Sequence, residues 1–492
     1  MAEDPHRASP GFSTNSTTGA QVRTQPPRVM GFADLVMFYV VTGISLRWIA
    51  TAAAAGPSSI VIWIGVWLCF YVPLALSVLE LSSRYPQEGG LYVWSKRAFG
   101  DFSGFMSGWT YWTSNLPYFP AVLYFAASNL LYVGGGRWAH LSSSKSYYMW
   151  FSILALVAIT VMNVVGLNIG KWLHNIGSFG MWVPVVILVV MGVYAWKAFG
   201  SATSFTLENL IPSTHLKDML FWATLSYAFG GCETGSFMAD EIKDSRRTIP
   251  RAVLFAGLVV TFCYIGGTVA VLLALPSNQV NDLQGLMQAI SKTALRLGWF
   301  SVIPISALLI SVSNLGAAGG FLSSVARLPF VAGLDRFLPP SFGKLHPRWG
   351  TPYVSLYVQL FAGILFVFLG QAGTSVKGAY DVLVSMGIIT YFIPYLYVFA
   401  SMFKVQNDQA GPEVMRVPGG KPVARFLTCL GFATTSFTIA LSLVPSPDET
   451  NKLLAVIKIV GLSGVLVGTG WLLYFLGNRK RNVSASNVSP SG

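Results

Sequence analysis

The sequence predicts an all-α membrane protein that crosses the bilayer twelve times. Three observations predict this fold class: a very apolar composition, twelve apolar segments of helical length, and basic residues concentrated in alternate loops. Of the 492 residues, 53% are hydrophobic and only 10% are charged, whereas soluble domains carry roughly a quarter charged residues. A chain of this composition needs lipid as part of its solvent.

The predicted spans follow from length and hydropathy, because a helix crosses a bilayer with about 20 mostly apolar residues. Segments of this kind lie at roughly 31–55, 58–82, 103–133, 147–167, 175–196, 219–239, 251–275, 299–325, 353–371, 378–402, 425–444 and 454–476. We expect a transporter domain over 29–476, flanked by a disordered N-terminal tail (1–28) and a C-terminal tail (477–492).

Lysine and arginine orient these spans, because they concentrate in loops on the cytoplasmic side. Counted from a cytoplasmic N-terminus, the inside segments hold most of them, including the run at 243–251. The sequence therefore predicts two cytoplasmic tails and a multi-pass protein of the cell membrane, either bacterial inner or plasma membrane. This asymmetry also accounts for the net charge of +13, so no nucleic acid partner is expected.

The sequence lacks the motifs that are typical of several classes of protein. The four cysteines (Cys69, Cys232, Cys263 and Cys429) are scattered through apolar runs without the spacing of metal or disulfide sites. No Walker sequence, GxSxG or HExxH motif occurs. We therefore expect no metal, no cofactor, no enzymatic activity and no ATP-driven pump.

Two spans are interrupted by small residues near their middles, in the first span around Gly43 and in the sixth around Gly230 and Gly231. They are the first helices of two five-helix halves, about 31–196 and 219–402. Paired interruptions at corresponding positions are typical of a transporter site built from inverted repeats. Glycine also serves close helix packing, so each break taken alone has a second explanation.

An unwound helix frees backbone groups that a zwitterion can satisfy. The N-terminus of the second half-helix suits a carboxylate, and the carbonyls ending the first half suit an ammonium. Glu233 lies in the second break and either contacts substrate or holds the unwound backbone. Arg47 follows the first break, where it attracts a carboxylate, closes a gate, or is a structural or snorkelling residue.

Three further stretches resemble the amino acid–polyamine–organocation superfamily of permeases. Residues 80–100 read ELSSRYPQEGGLYVWSKRAFG, residues 239–252 read ADEIKDSRRTIPRA, and the pairs Ala326-Arg327 and Thr351-Pro352 flank DRFLP at 335–339. The resemblance covers most of 30–476. It implies a leucine-transporter-like five-plus-five inverted repeat plus two C-terminal helices, and secondary active transport of amino acids by alternating access.

Carried over by position, the resemblance also implies a substrate site. The substrate carboxylate would lie on the backbone of Gly43, Ile44 and Ser45. The amino group would face Phe229, Gly230 and Gly231, next to Cys232 and Glu233, with Phe229 as an aromatic lid. The side-chain pocket would draw on the third and eighth spans, through Tyr111, Asn115, Tyr118, Ser311, Ser313 and Asn314. Gate candidates are Arg47, Phe229, Arg84, Asp240 and Glu241, the two acidic residues pairing with nearby basic loop residues.

The fifth span departs from the pattern of proton-coupled relatives, which carry a lysine there. Residues 175–196 contain none. Proton symport and exchange both stay open, and a proton is favoured over sodium as the coupling ion. The alternatives are a polyamine or organic cation transporter of the same superfamily, which would want carboxylates in the pocket, and a non-transporting membrane sensor or helper subunit.

Overall fold

The computed structural model describes residues 28–213, 216–281, 284–371, 376–444 and 452–486. Within these ranges the chain is helical, and a parallel β-bridge joins Met30 to Ile242. The α-helices are α1 (Phe32–Gly43), α2 (Leu46–Ala55), α3 (Ser58–Val66), α4 (Val72–Arg84), α5 (Leu91–Phe99), α6 (Asp101–Gly134), α7 (Lys145–Val165), α8 (Leu167–Phe199), α9 (Leu207–Leu210), α10 (Leu216–Ala228), α11 (Ser245–Ala274), α12 (Gly285–Leu297), α13 (Val302–Val325), α14 (Arg327–Leu334), α15 (Tyr353–Gln371), α16 (Val376–Val405), α17 (Gly420–Ser442) and α18 (Lys452–Ser486).

Among the described residues, eight helical segments are long and apolar enough to cross a membrane, or nine if the bent pair α1 and α2 forms one span. An all-α protein with several membrane-spanning helices is thus confirmed. The count of twelve spans and the five-plus-five repeat remain predictions. Residues 1–27 of the predicted N-terminal tail lie outside the described residues, and α18 continues to Ser486, inside the predicted C-terminal tail.

Large apolar side chains are exposed and many polar side chains are buried, as expected for a helical bundle surrounded by lipid. Large apolar residues such as Leu154, Leu258 and Phe361 are exposed on the outside of the helical bundle. Many serines, threonines and asparagines are buried inside it, among them Asn129 and Ser313. Because lipid tails are as apolar as these exposed side chains, close packing and hydrogen bonds hold the helices together.

A seam of glycines lets α8 and α13 approach each other and positions α1. A Cβ on Gly177 of α8 would lie 2.9 Å from the Cα of Gly316 on α13 and 3.0 Å from Val41 of α1. A Cβ on Gly316 would meet the Gly177 Cα at 2.8 Å. Side chains larger than hydrogen would separate these helices. The C-terminal end of α1, where the first break begins, is therefore held against two long helices.

Candidate substrate-binding site

The first break separates α1 from α2, which are bent by 40° relative to each other. The helix ends at Gly43, and Ile44 and Ser45 adopt extended backbone angles before α2 begins at Leu46. The N–H of Ile44 still donates to the carbonyl of Val40, at 3.1 Å. The unwinding therefore occupies the residues at which the sequence predicts it.

The second break follows α10 and is longer. Gly231 has a φ of 112°, a left-handed conformation that favours glycine. A Cβ there would lie 3.2 Å from the carbonyl oxygen of Thr42, so the two breaks are in direct contact. The chain then turns through Glu233 into a 3₁₀ segment, Thr234–Glu241. No regular helix crosses this stretch of the described chain.

Glu233 is fully buried and its carboxylate is held by three donors. The hydroxyls of Tyr111 and Tyr395 donate to Oε1 at 2.5 and 2.9 Å. The backbone N–H of Gly231 donates to Oε2 at 3.3 Å. Each bond to a charged acceptor is among the stronger hydrogen bonds in proteins. The Glu233 side chain thus ties the unwound backbone to α6 and α16.

Tyr264 of α11 joins the two breaks. Its hydroxyl accepts the N–H of Ser45 at 3.0 Å. The same hydroxyl lies 3.1 Å from the carbonyl oxygen of Gly43 and 2.9 Å from that of Ala228, where its single proton serves one carbonyl at a time. One buried side chain therefore satisfies backbone groups that both interrupted helices leave free.

A cavity of about 30 Å³ lies between the breaks, with room for one or two water molecules. An amino acid needs more space, so the walls must separate to admit one. Its lining residues come from both breaks and from α1, α2, α6, α10, α11, α13 and α16: Thr42, Gly43, Ser45, Arg47, Trp48, Asn115, Tyr118, Tyr227, Ala228, Gly230, Tyr264, Phe321 and Tyr391.

A second, smaller cavity of about 10 Å³ also touches Gly43 and Gly230. Phe229 and Cys232 line it. The Phe229 ring is buried against aromatic neighbours, with ring centroids 5.2 Å from Trp63, 5.1 Å from Tyr71 and 5.4 Å from Tyr264. Phe229 therefore lies in the wall of this smaller cavity and is not among the residues that line the larger one.

The structure gathers some of the predicted pocket residues at the larger cavity and leaves others away from it. Gly43, Ser45, Arg47, Asn115, Tyr118 and Gly230 lie in its wall. The Ser311 hydroxyl instead lies 2.8 Å from the carbonyl oxygen of Ala307 and 3.0 Å from that of Ala126, and the Asn314 amide donates to the carbonyl of Ile310 at 2.7 Å. These two side chains join α13 to α6 and to its own preceding turn.

A buried ion pair lies beyond the second break. Arg327 of α14 contacts Glu241 through Nη2 at 2.5 Å and Nε at 2.7 Å, and both side chains are at most 3% exposed. The sequence predicted a loop arginine or lysine as the partner of Glu241, and the structure places Arg327 there instead. The backbone carbonyl of Glu241 also accepts from Val29 and Met30, at 2.9 and 3.1 Å.

Arg84, another gate candidate, has a different partner. It pairs with Glu80 one turn earlier in α4, at 2.9 Å. The Glu80 carboxylate also accepts from the Gln406 amide at 2.9 Å and from the N–H of Val417 at 3.0 Å. Arg84 and Glu80 therefore fasten the segment that follows α16, and they lie apart from the Glu241–Arg327 pair.

Further carboxylates lie beside the Glu241–Arg327 pair. Burial raises the pKa of the Glu88 carboxyl well above its ordinary value, and the nearby charges of Glu241 and Asp240 add to the rise, while Arg327 opposes it. Burial likewise raises the pKa of Asp240, against the charge of Arg28. Three carboxylates thus share this end of the site with Arg327.

Sequence reasoning missed Tyr264, Tyr395, Arg327 and Glu88. The two tyrosines stand in apolar runs of predicted spans, where an aromatic residue carries no local signal of a hydrogen-bonding role. Glu88 and Arg327 belong to two of the three stretches that carry the family resemblance, and that resemblance was the available signal. Among the described residues, no group of three or more His, Cys, Asp or Glu side chains could hold a metal ion.

Comparison with known proteins agrees with this architecture. A family model described as amino acid permease matches residues 30–465. The probable agmatine/putrescine antiporter AguD of Lactococcus lactis is 23% identical over 448 residues, 90% of this chain and 93% of AguD. The serine/threonine exchanger SteT of Bacillus subtilis is 25% identical over 421 residues, 83% of this chain and 86% of SteT.

The low-affinity putrescine importer PlaP of Escherichia coli is 29% identical over a shorter stretch, 57% of this chain and 61% of PlaP. Relatives named for amino acids and relatives named for diamines therefore both match. The family model extends from just before α1 into α18, and it includes both broken helices and the residues that line the cavity between them. The chain belongs to the amino acid permease family of membrane transporters.

Proposed function

We propose that the protein is a secondary active transporter that carries amino acids across the cell membrane by alternating access. The observation that supports this most directly is the cavity enclosed by two interrupted helices, with Gly43, Ser45 and Gly230 in its wall. The similarity to SteT, a serine/threonine exchanger, supports an amino acid substrate and is compatible with exchange as the transport mode.

The two charged ends of an amino acid match the two kinds of backbone group at the breaks. The first N–H groups of α2 have no acceptor within their own helix, and they attract the carboxylate together with the positive end of the helix dipole. The carbonyls of Gly43 and Ala228 face the amino group. Ile44, Phe229, Gly231 and Cys232 shape the backbone around it, while Tyr111 and Glu233 hold that backbone in place.

Release to the cytoplasm requires the Glu241–Arg327 pair to separate. This pair lies at the end of the 3₁₀ segment that follows the second break, where Val29 and Met30 donate to the backbone carbonyl of Glu241. Removing one member of a buried ion pair typically costs about 3–5 kcal/mol, because the other charge is left buried without its partner. In the proposed cycle Glu241 and Asp240 act at an inner gate, Arg47 acts at the larger cavity and Phe229 acts at the smaller one.

The proposal includes twelve spans arranged as two inverted five-helix repeats and two further helices, with both tails cytoplasmic. The matched breaks in α1–α2 and after α10 support the repeat. For energy coupling we propose proton symport or exchange. The absence of a lysine from 175–196 removes one route for a proton, and the carboxylate group around Glu88 offers another.

Uptake by purified protein in liposomes tests the proposal. Labelled serine, glutamate and putrescine are supplied with and without a pH gradient, and with unlabelled substrate inside. Amino acid uptake supports the proposal, and stimulation by internal substrate identifies exchange. Uptake of putrescine alone would favour the polyamine alternative suggested by the names of AguD and PlaP, and uptake of none would favour a sensor or helper subunit.

A pair of glycine variants links any uptake to the cavity. A Cβ on Gly43 would lie 3.3 Å from Val260, so Gly43→Val adds atoms to a crowded wall. A Cβ on Gly464 in α18 meets nothing within 4 Å, so Gly464→Val is a matched control. Uptake should fall in the first variant and persist in the second. Equal uptake by both would show that the substrate path lies elsewhere.

A further inference from the structure

A third cavity, the helix-end cavity, has a volume of about 340 Å³ and shares no lining residue with the two cavities at the breaks. Three apolar spans end at its wall. Arg84 is the last residue of α4, Gln406 directly follows α16, and Gly420 is the first residue of α17. Because the ends of membrane-spanning helices lie at the bilayer surface, the helix-end cavity lies at the level of the lipid headgroups.

Buried side chains fix the wall of the helix-end cavity. Glu80 is 1% exposed and Gln406 is 3% exposed. The Glu80 carboxylate accepts from Arg84, from the Gln406 amide and from the N–H of Val417. The charge of Glu80 is therefore used inside the wall, and the loop that follows α16 is held against α4. The volume of this preformed space is within the roughly 300–1,000 Å³ of small-molecule sites.

The remaining charged residues of the lining are mostly basic. Arg416 and Lys421 line the helix-end cavity, and Asp408 is the one acidic lining residue besides Glu80. Arg416 donates to the backbone carbonyl of Ala410 at 3.0 Å, a neutral partner that does not cancel its charge. Lys421 lies in the first turn of α17, where the helix dipole adds partial positive charge.

Further basic residues flank the lining residues in the chain. Arg425 donates to the amide oxygen of Asn407 at 2.7 Å, and Lys404 donates to a backbone carbonyl of α5 at 2.6 Å. Both partners are neutral groups. The nearby acidic residue Glu413 pairs with Arg246 at 2.9 Å. The surroundings of the helix-end cavity are therefore positive overall and attract anions.

Exposed apolar side chains begin beside this basic region and continue along the spans. Phe426, in the second turn of α17, is 65% exposed, and Phe403, in the last turn of α16, is also exposed. The Arg425 guanidinium carbon lies 5.8 Å from the Phe403 ring centroid. Only 33% of the most apolar stretch of α17 is buried, so this helix mainly faces lipid. A ligand with an anionic head and apolar chains matches both parts of this surface.

We propose that the helix-end cavity binds the phosphate headgroup of an anionic phospholipid, with the acyl chains along Phe403 and Phe426. The exposed apolar surface that begins at the cavity favours a lipid over a soluble phosphate. Topology accounts for basic residues on one side of the membrane, but it does not require a cavity with a fixed wall. Under the proposed orientation the site lies in the cytoplasmic leaflet, where anionic lipids are attracted by basic residues.

The test compares the wild type, the double variant Arg416→Gln/Lys421→Gln and the control Lys344→Gln/Arg348→Gln. The control removes two exposed basic residues of the loop between α14 and α15, which does not line the helix-end cavity. Each protein is freed of lipid in a neutral detergent and titrated with phosphatidylglycerol, phosphatidylcholine or glycerol phosphate. Binding is followed by the rise in unfolding temperature and by counting bound lipids with native mass spectrometry.

Phosphatidylglycerol should stabilise the wild type and the control more than phosphatidylcholine does, and glycerol phosphate should have little effect. Each basic residue near an anionic lipid strengthens binding about fivefold, so the double variant should bind phosphatidylglycerol roughly 25-fold more weakly. Asp408→Asn removes an opposing charge and should bind it about fivefold more tightly. Because misfolding does not produce a gain in affinity, Asp408→Asn decides the question if the double variant is unstable.

Three kinds of result would overturn the proposal. Equal stabilisation by phosphatidylcholine and phosphatidylglycerol would show that the protein does not select an anionic headgroup. Glycerol phosphate that binds as tightly as the lipid would assign a soluble anion instead. Equal affinity of the double variant and its control, or of Asp408→Asn and the wild type, would place the lipid elsewhere. None of these measurements involves transport, so the proposed function is tested separately.

Discussion

Replacing Tyr264 by phenylalanine tests whether one hydroxyl couples the two broken helices. The change keeps the ring, which stacks on Trp63 at a centroid distance of 4.5 Å and meets Phe229 edge-on at 5.4 Å. It removes the oxygen that accepts the Ser45 N–H and donates to the carbonyl of Gly43 or Ala228. Packing is thus preserved while the polar contact is lost.

The expected cost follows from what is left unpaired. A buried donor without an acceptor costs about 1–3 kcal/mol, whereas an average hydrogen bond contributes about 0.5–1.5 kcal/mol. Tyr264 is fully buried, and the Ser45 N–H precedes the first turn of α2, where no carbonyl of that helix accepts it, so the larger cost of an unpaired donor applies. A matched control is Tyr147→Phe, which removes a hydroxyl that donates to the Ala127 carbonyl at 2.9 Å, between α7 and α6.

Two measurements decide the outcome. Chemical unfolding in mixed micelles should show Tyr264→Phe less stable than wild type by about 1–3 kcal/mol, and Tyr147→Phe by less. Substrate affinity in the liposome assay should fall only for Tyr264→Phe, because only that hydroxyl shapes the cavity. If the two variants have the same affinity for substrate, the hydroxyl does not organise the site and the reasoning is refuted.

Three further predictions concern the second break and the inner gate. In Gly231→Ala, a residue with a side chain must adopt a φ of 112°, which costs about 1–3 kcal/mol of backbone strain. Uptake should fall sharply, and uptake equal to that of the wild type would contradict the left-handed conformation of Gly231. Arg327→Gln leaves Glu241 buried without its cation, so a cysteine introduced at Ser236 should react faster with a thiol reagent from the cytoplasmic side. Adding Glu241→Gln should slow that reaction again, and no change in either variant would exclude a gate here. Burial and the Glu241 charge raise the pKa of Glu88 above its ordinary 4.5, so the closed form keeps a proton that a hydrated, open form releases. Raising the pH above 4.5 should therefore favour opening and speed labelling beyond the increase due to thiol ionisation alone, and Glu88→Gln should leave only the latter.

The positions of the breaks could be predicted because they depend on local chemistry. Glycine at 43, 230 and 231 weakens a helix wherever it occurs, and Gly231 adopts a φ that other residues avoid. Matching interruptions in two spans made a site between them the natural interpretation. The sequence motifs at 80–100 and 239–252 indicated the family, which the family model confirms over 30–465.

The roles of individual side chains were harder to predict. Tyr111 was expected to line the side-chain pocket, and its hydroxyl instead reaches Glu233 at 2.5 Å. Glu241 was expected to pair with a basic loop residue near it, but its partner is Arg327, which lies 86 residues later in the chain. In both cases the choice of partner depends on how helices cross, which helical periodicity does not specify.

By itself, the sequence determined that this chain is a membrane protein, which spans are interrupted and which family it belongs to. These properties follow from composition, from short motifs and from backbone preferences, which depend on residues close together in the chain. Only the tertiary structure decided that Tyr264 joins the two breaks, that Glu233 is fully occupied by tyrosines and a backbone amide, and that Arg47 lies in the cavity wall. These contacts join residues far apart in the chain, and a buried polar group takes whichever partner the packed helices bring within hydrogen-bonding distance.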